Sequence, residues 1–420
     1  MNQFEILLEE KQNIKCFDKE KSLDVIVYEN FEDLASMQEE WDGFMESIRG
    51  EIFLTYDWCR VWWKYYGKNR DLKIFILRHD QKLVGILPVF LENLRLGLIR
   101  VKVIKMVGTD FTPISITFPV ERDFIDEAVE KFINELSRQC NWDILHIGAI
   151  CGRYESIEIL LKTAKSTLNH FYQIEVKDNE VQTYFELANS WEEQIASLSQ
   201  RQRTKTRRIY KEIQKQGVKI NSFFASEESL SRMFDNFVKL HQSHWQSLGL
   251  AGHFGDWPSS YDFHREIAGI QFNYDRLRLL EIQLDDQPIG YEYIYKLGDT
   301  YYWFLSARCK LEKDSHIDFH RVAFKEKVEK ALKDNVKLID GMRGHYEYKL
   351  VMGGQLKPIH TILAYSKKPF PFLRISMLRS LIWLLNILYL KIWRRRIVPR
   401  LKIKPKPFQD WWIKSHMLSY

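Results

Sequence analysis

The residues best suited to chemistry stand close together between Leu338 and Lys349, directly after a short apolar strand. Asp340 supplies a carboxylate, His345 an imidazole, Tyr348 a phenol and Lys349 a cation. Two glycines in the same stretch let the backbone approach a ligand, and α/β sheets bind ligands at strand ends. These four side chains are therefore our catalytic candidates. An ordinary strand-to-helix turn with a salt bridge is the alternative explanation.

A basic helix predicted from Ser197 to Gly217 is the second candidate site. At 100° per residue, its basic side chains share one arc of about 120°, and apolar side chains fill the neighbouring arc. One side would then pack on the protein and the other would bind an anionic substrate; a solvated charged face is the alternative. The substrate-binding candidates on this helix are Arg201, Lys205, Arg208 and Lys211.

His241 and Trp245 lie one turn apart on a helix predicted from Glu227 to Leu248, with His244 between them. We interpret His241 and Trp245 as a helix face that contributes to a substrate groove, with simple packing as the alternative. Two histidines three residues apart lack a third ligand nearby, so no metal is expected. The sequence also lacks the nucleophile elbow, the P-loop, the H-E-x-x-H motif and the dinucleotide-binding G-x-G-x-x-G motif.

Length and charge indicate two domains and an unusual tail. A chain of 420 residues exceeds one ordinary core. The net charge is +6, but residues 367–420 alone hold 13 Lys or Arg against one acidic residue, Asp410. The five cysteines are an odd number without a C-x-x-C pair, which favours a reducing compartment. Because no signal peptide is recognisable either, we expect a cytoplasmic protein.

The element pattern predicts an α/β fold that repeats once. Each half reads as strands interleaved with amphipathic helices and includes a hairpin or meander, with turns at 79–82 and 285–288. The aromatic helix Tyr56–Tyr66 is expected to pack in the core. We predict a leader at 1–22, domains at 23–176 and 177–366, and a tail at 367–420.

The tail is apolar on nearly every side from Phe372 to Trp393. Its uncharged run, Ser380–Leu390, has 11 residues. That run is about 16 Å of helix, which we expect to be too short to cross a membrane. Basic flanks and tryptophans suit peripheral contact with an anionic membrane through residues 372–412. Docking on its own domain or on a dimer partner is the alternative.

Several short stretches carry a family resemblance when taken in order. They are Glu40–Asp42, Phe53–Trp58, Leu83–Pro88, Leu198–Arg208, Leu240-His241 with Trp245, Asp285–Gly290, and Ile339-Asp340 with Gly344 and Tyr348-Lys349. Together they resemble the BioF2-like, or CelD-like, branch of the GNAT acyltransferase superfamily, related in architecture to the Fem-type aminoacyl transferases. The resemblance covers about residues 23 to 366 and implies two tandem GNAT-like domains, mixed sheets flanked by helices, followed by a basic, apolar helical tail.

The resemblance also implies a co-substrate, acetyl-CoA or another acyl-CoA. GNAT enzymes hold the donor's pyrophosphate on backbone amides at a helix start, which this chain places at Ser315, His316 and Ile317. Family members usually have a Ser-Pro-Gly-like turn there, whereas this chain has no glycine and carries Asp314 and Asp318, which oppose an anion.

These observations lead us to expect an acyltransferase that acts on an anionic small molecule or glycan precursor of the cell envelope. Asp340 or His345 would orient or deprotonate the acceptor, Tyr348 would protonate the leaving group, and Lys349 would stabilise negative charge. One alternative is a Fem-type transferase, in which the basic helix binds aminoacyl-tRNA. We expect a nucleic-acid partner only under this alternative. Another is a non-catalytic scaffold of envelope biosynthesis with a degenerate donor site.

Overall fold

The computed structural model describes residues 22–168, 172–309, 318–404, 406–416 and 418. The predicted leader therefore lies outside the described residues except for Ser22, and so do the donor-binding candidates Ser315, His316 and Ile317.

One mixed sheet of 12 strands runs through the described chain in the order β1-β2-β3-β4-β5-β12-β6-β11-β10-β9-β8-β7. The strands are β1 (Asp24–Tyr28), β2 (Asp71–His79), β3 (Lys82–Leu96), β4 (Ile99–Met106), β5 (Ile144–Ile150), β6 (Tyr172–Glu186), β7 (Ile220–Phe224), β8 (Leu277–Leu284), β9 (Gln287–Leu297), β10 (Thr300–Arg308), β11 (Leu338–Arg343) and β12 (Gln355–Ser366).

Helices cover this sheet, and short 3-10 turns occupy Glu32–Met37, Ile52–Leu54 and Arg122–Phe124. The helices are α1 (Gln38–Ser47), α2 (Tyr56–Tyr66), α3 (Ile125–Gln139), α4 (Ile157–Leu168), α5 (Trp191–Ala196), α6 (Gln200–Lys215), α7 (Glu227–Ser247), α8 (His253–Asp256), α9 (Ser260–Asn273), α10 (Phe319–Lys333), α11 (Glu347–Leu350), α12 (Pro369–Arg400) and α13 (Asp410–His416). Within α12, residues Asn386–Ile397 form the wider π type of turn.

The two halves share strands. β12 follows the second half in sequence but lies between β5 and β6, antiparallel to both. β6 in turn pairs with β11, so it belongs to the sheets of both halves, and the predicted boundary between residues 176 and 177 falls inside it. The predicted α/β class with two tandem halves and a helical tail is confirmed, while the second sheet is continuous with the first.

Local sequence explains the hairpins. Asp80 and Gln81 both have positive φ, at 48° and 68°, and join β2 to β3. Asp285 and Asp286, at 47° and 62°, do the same between β8 and β9. Two consecutive positive φ angles give the turn whose twist matches paired strands, and Asp tolerates that conformation. The predicted turns at 79–82 and 285–288 are confirmed.

The aromatic helix α2 packs in the core, as predicted. Trp58 and Trp62 are fully buried. The Trp58 ring meets Phe263 and Tyr295 of the second half at centroid distances of 5.7 and 5.2 Å, both edge-on. Edge-to-face pairs of this kind add to the area that the rings bury. The helix α2 of the first half therefore packs directly against the second half.

The tail helix α12 is longer than its uncharged run suggested. It is the one helix among the described residues that is long and apolar enough to cross a membrane, judged by length and composition alone. The expectation that the segment is too short was therefore wrong, because Arg374 and Arg379 lie within the helix instead of ending it. Both are paired with acidic residues of the first half, Asp143 and Glu175.

The tail docks on the first half through one face. Ile375, Leu378 and Ile382 are buried in a cluster with residues of β4 and β12. The following helix α13 buries Trp412, whose Nε1 donates a hydrogen bond of 2.6 Å to Asn386 Oδ1. The tail is thus an integral part of the folded body.

Candidate functional site

Two neighbouring strands of the second half diverge in the middle of the sheet. β10 and β11 are parallel and pair at three positions, of which Tyr302 with Asp340 is the last. β10 has an irregular register between Trp303 and Leu305 at this point. The pairing between the two strands ends there, so their facing edges separate beyond Tyr302 and Asp340.

A large cleft opens where the strands diverge, with a volume of about 1010 Å³. It gathers five of the predicted residues, His241, Trp245, His345, Tyr348 and Lys349. Its other walls come from distant parts of the chain: the loop Thr109–Pro113 of the first half, and Arg395 and His416 of the tail. The cleft is therefore complete only when both halves and the tail are assembled.

Lys349 is held at the floor of the cleft by α11. Its Nζ donates to the carbonyl of Gly341, and it lies 4.6 Å from the centroid of the Tyr346 ring. Burial lowers the pKa of Lys349 to about 8, against the pull of Asp340 and Glu292. The side chain is therefore a cation that can lose its proton near neutral pH.

Tyr348 stacks on His320 of α10, with ring centroids 4.5 Å apart and an angle of 21° between the planes. Burial raises the pKa of Tyr348, so the phenol stays protonated and can donate a hydrogen bond. Burial lowers the pKa of His320 to about 4, which keeps that ring neutral. The pair forms a flat, partly apolar wall beside Lys349.

His241 presents an unusual acceptor. Its Nδ1 lies 2.9 Å from the carbonyl oxygen of Ser306, so Nδ1 carries the proton and donates. Nε2 then has a lone pair, is buried, and has no hydrogen-bond partner among the described residues. Burial lowers the pKa of His241 to about 4, which keeps the ring neutral. A ligand with an N–H or O–H group would satisfy this atom.

Asp340 lies beneath the cleft and does not line it. The carboxylate is fully buried and accepts hydrogen bonds from Gln182 Nε2, at 2.6 and 2.8 Å, and from the backbone N–H of Met342 at 2.8 Å. Burial raises the pKa of Asp340 to about 6. From this position Asp340 orients the end of β11, where the carbonyl of Gly341 accepts a hydrogen bond from Lys349.

A buried ion pair supports the same wall, and no local sequence pattern predicts it. Lys327 of α10 and Glu292 of β9 are both buried, with Nζ 3.1 Å from Oε2. Burial lowers the pKa of Lys327 to about 7. Ser306 Oγ donates to Glu292 at 2.7 Å and accepts from Trp303 Nε1 at 2.8 Å. This network holds the segment of β10 in which the Ser306 carbonyl accepts the hydrogen bond from His241.

Comparison with known proteins identifies the architecture. Residues 200–350 match the family model described as an acetyltransferase (GNAT) domain. The crystal structure of FemX superposes with a TM-score of 0.58 at 10% identity, covering 80% of this chain and 98% of FemX. The chain has a Fem-like tandem GNAT architecture.

Other solved structures are similar at a lower level. L-PGS from Bacillus licheniformis gives a TM-score of 0.44 at 11% identity, covering 81% of this chain and 95% of that one. A tandem GNAT protein from the clavulanic acid biosynthesis pathway gives 0.41 at 10% identity, covering 83% and 99%. No curated protein matches the chain by sequence.

The basic residues of the GNAT domain lie outside the cleft. Arg201, Lys205, Arg208 and Lys211 are exposed on α6, and none of them lines the cleft. The structure therefore does not bring these substrate-binding candidates together with the other predicted residues. Lys205 lies at the edge of this face, with its Nζ 3.9 Å from Asp318 Oδ2.

The ion pair between Lys205 and Asp318 joins the basic helix α6 to the start of α10. Asp318 caps α10 by accepting from the backbone N–H of Arg321 at 3.4 Å, and Arg321 Nη1 donates 2.6 Å to Thr206 of α6. Lys205 and Arg321 together offset the charge of Asp318. Two cations therefore lie beside the start of α10. The donor-binding candidates Ser315, His316 and Ile317 themselves lie outside the described residues.

No group of three or more His, Cys, Asp or Glu side chains that could hold a metal ion occurs among the described residues. Arg308 and Arg395, which the sequence analysis did not single out, line the cleft. Arg395 was counted only as part of a basic tail, and no local pattern connects it with Lys349.

Proposed function

We propose that this protein is an acyltransferase that moves an acyl group from acetyl-CoA or another acyl-CoA to an amine or hydroxyl. The acceptor is an anionic small molecule or a glycan precursor of the cell envelope or of a polysaccharide, met at the cytoplasmic face of the membrane. The GNAT match over residues 200–350 supports the reaction class.

The divergence of β10 and β11 at the cleft carries this proposal. An extended chain that contains amides can pair with the exposed backbone edges as an added strand would, and the pantetheine arm of CoA is such a chain. Its thioester would then enter the cleft beside Lys349 and Tyr348, which line it from α11. CoA supplies an already activated acyl group, so the protein mainly has to position the acceptor.

The cleft residues have chemistry that suits the transfer. An attacking amine must lose a proton, and the departing thiolate must gain one. His345 lines the cleft and accepts the first proton, while the protonated phenol of Tyr348 donates the second. Lys349 stabilises the negative charge that develops on the carbonyl oxygen. Asp340 acts indirectly: it positions β11, and the Gly341 carbonyl of that strand accepts the hydrogen bond from Lys349.

A thermal-shift titration of the full chain with acetyl-CoA, longer acyl-CoAs and free CoA tests the donor. Ligand that binds the native state raises the melting temperature in a saturable way. We expect Lys205→Glu to weaken the response and Lys215→Glu to leave it unchanged, because Lys215 ends the same helix far from Asp318. No shift with any of these compounds, or equal loss in both variants, would refute the proposed donor site.

A second candidate is a Fem-type transferase that uses aminoacyl-tRNA. The exposed position of Arg201, Arg208 and Lys211 outside the cleft favours it, because a row of exposed cations suits the phosphate backbone of a long polyanion. Steeply salt-dependent binding of tRNA without any response to CoA would support this reading. Absence of both responses would leave the non-catalytic scaffold.

A further inference from the structure

One face of α12 is apolar and exposed to solvent. Leu373 and Met377 are 59% and 52% exposed, and Leu384 and Leu388 are 44% and 49% exposed. Phe370 at the start of the helix is 87% exposed. We call these five residues the outer stripe. It extends over about 27 Å of helix, which is too long to be explained as a few scattered apolar side chains.

The outer stripe points away from the body. At 100° per residue, Phe370, Leu373, Met377 and Leu384 fall within an arc of about 60°. The buried residues Ile375, Leu378 and Ile382 occupy an arc centred about 140° away. The helix therefore has one face committed to the sheet and another that the described residues leave uncovered.

The charges around the stripe indicate its partner. α12 contains seven Lys or Arg and no Asp or Glu. Lys391, Arg395 and Arg396 are exposed in the turns that follow Leu388. An apolar face that ends in exposed cations matches the acyl chains and phosphate headgroups of an anionic bilayer. We propose that the outer stripe docks on an anionic lipid bilayer with the helix axis parallel to the membrane plane.

The structure favours docking over spanning. Arg379 makes two hydrogen bonds to Glu175, at 2.8 and 2.9 Å, and Arg374 pairs with Asp143. A helix that crossed the bilayer would have to break these pairs, leave the sheet, and place both arginines in hydrocarbon. Lying on the surface keeps the inner face packed and buries only the outer stripe.

Docking has a consequence for the acceptor. Arg395 lines the cleft and lies about two turns beyond Leu388 on the same helix. The docked protein would present the mouth of its cleft to the headgroup layer, so the acceptor class is an anionic molecule anchored in the membrane. This consequence rests on the proposed function, whereas docking itself does not, and lipid binding can therefore be tested without turnover.

Vesicle flotation of the full chain tests the docking. The vesicles are neutral phosphatidylcholine, with or without about 30% phosphatidylglycerol. We expect binding to the anionic vesicles that is at least about tenfold stronger than to the neutral ones, and weaker binding when NaCl rises from about 0.1 M to about 0.5 M. Absence of binding to anionic vesicles, or equal binding to both kinds, overturns the proposal.

Matched variants locate the surface. Leu373→Asp is expected to weaken vesicle binding at least about tenfold. Leu98→Asp is the control, because Leu98 is 98% exposed in the turn between β3 and β4, away from the stripe. Equal binding by the two variants contradicts the assignment. Retention on vesicles in about 1 M salt and alkaline carbonate would indicate spanning instead of docking. A concentration-dependent dimer that Leu373→Asp abolishes, without vesicle binding, would identify a second copy as the occupant.

Discussion

Replacing Asp340 with Asn should change the pH dependence of stability in a defined way. Asp340 is fully buried beneath the cleft, and burial raises its pKa from 3.8 to about 6 despite the hydrogen bonds from Gln182 and Met342. The native state thus holds a proton on this carboxyl at pH values where the unfolded chain has lost it. Between about pH 4 and about pH 6, stability falls as pH rises because of this one group.

The size of the effect follows from the pKa difference. At pH 8 the ionised carboxylate costs the wild type about 3 kcal/mol of unfolding free energy, because the pKa of this carboxyl is about 6 in the native state and 3.8 in the unfolded chain. At pH 5 the cost is roughly half as large, since the native carboxyl is then mostly protonated. Asn cannot ionise. The stability of Asp340→Asn relative to wild type should therefore rise by about 1–2 kcal/mol between pH 5 and pH 8.

Urea unfolding followed by tryptophan fluorescence measures this difference at each pH. The absolute stability of the variant also includes the altered bond to Gln182, so the change with pH is the quantity to compare. Asp71→Asn, at an exposed position that begins β2, is the control and should show a flat difference. A difference for Asp340→Asn that stays constant within about 0.5 kcal/mol would show that the buried carboxyl is not destabilised by burial.

Three further changes test the packing and one buried histidine. Gly290→Ala should lower the free energy of unfolding by about 1–3 kcal/mol, because the new Cβ would lie 2.3 Å from the Phe319 ring. Gly269→Ala is the control: its Cβ would meet nothing within 4 Å, so urea titrations should find it neutral or stabilising. Burial lowers the pKa of His264 to about 3. As pH falls below about 6.5, the unfolded chain binds a proton at this histidine before the native state does, so the native state loses stability. His264→Phe should remove about 2 kcal/mol of this loss at pH 5, measured by the same titrations. Trp412→Ala should cost about 3–5 kcal/mol and lower the melting temperature, because it leaves a cavity and removes the hydrogen bond to Asn386 Oδ1.

Local patterns predicted most elements because each has its own signal. The aromatic spacing of Tyr56–Tyr66 and the Asp-containing turns at 79–82 and 285–288 need no information from elsewhere in the chain. The basic helix was also predicted, but it begins at Gln200 and is separate from α5, since residues 197–199 interrupt the helical run.

Long-range pairing could not be predicted in this way. The place of β12 between β5 and β6 depends on contacts with a strand about two hundred residues earlier, and the sequence of β12 fits either half. The cleft has the same origin. The loop Thr109–Pro113 and Arg395 meet Lys349 in the cleft, although neither carries a local signal that predicts this contact. The predicted residues on α7 and α11 were found because polar side chains at helical spacing, or close after a strand end, can be recognised locally.

The charge of the tail shows why composition alone misjudges a surface. Of the cations in α12, Arg374, Arg379 and Arg394 pair with acidic residues of the body, so the excess counted in the sequence overstates the charge that faces a partner. The first two pairs hold the amino-terminal half of the helix on the sheet. Exposed Lys391 and Arg395 place the positive charge at the carboxyl-terminal end, next to the cleft. An anionic membrane would therefore attract the end of α12 that borders the cleft, and the apolar stripe would determine how the remainder of the helix lies on it.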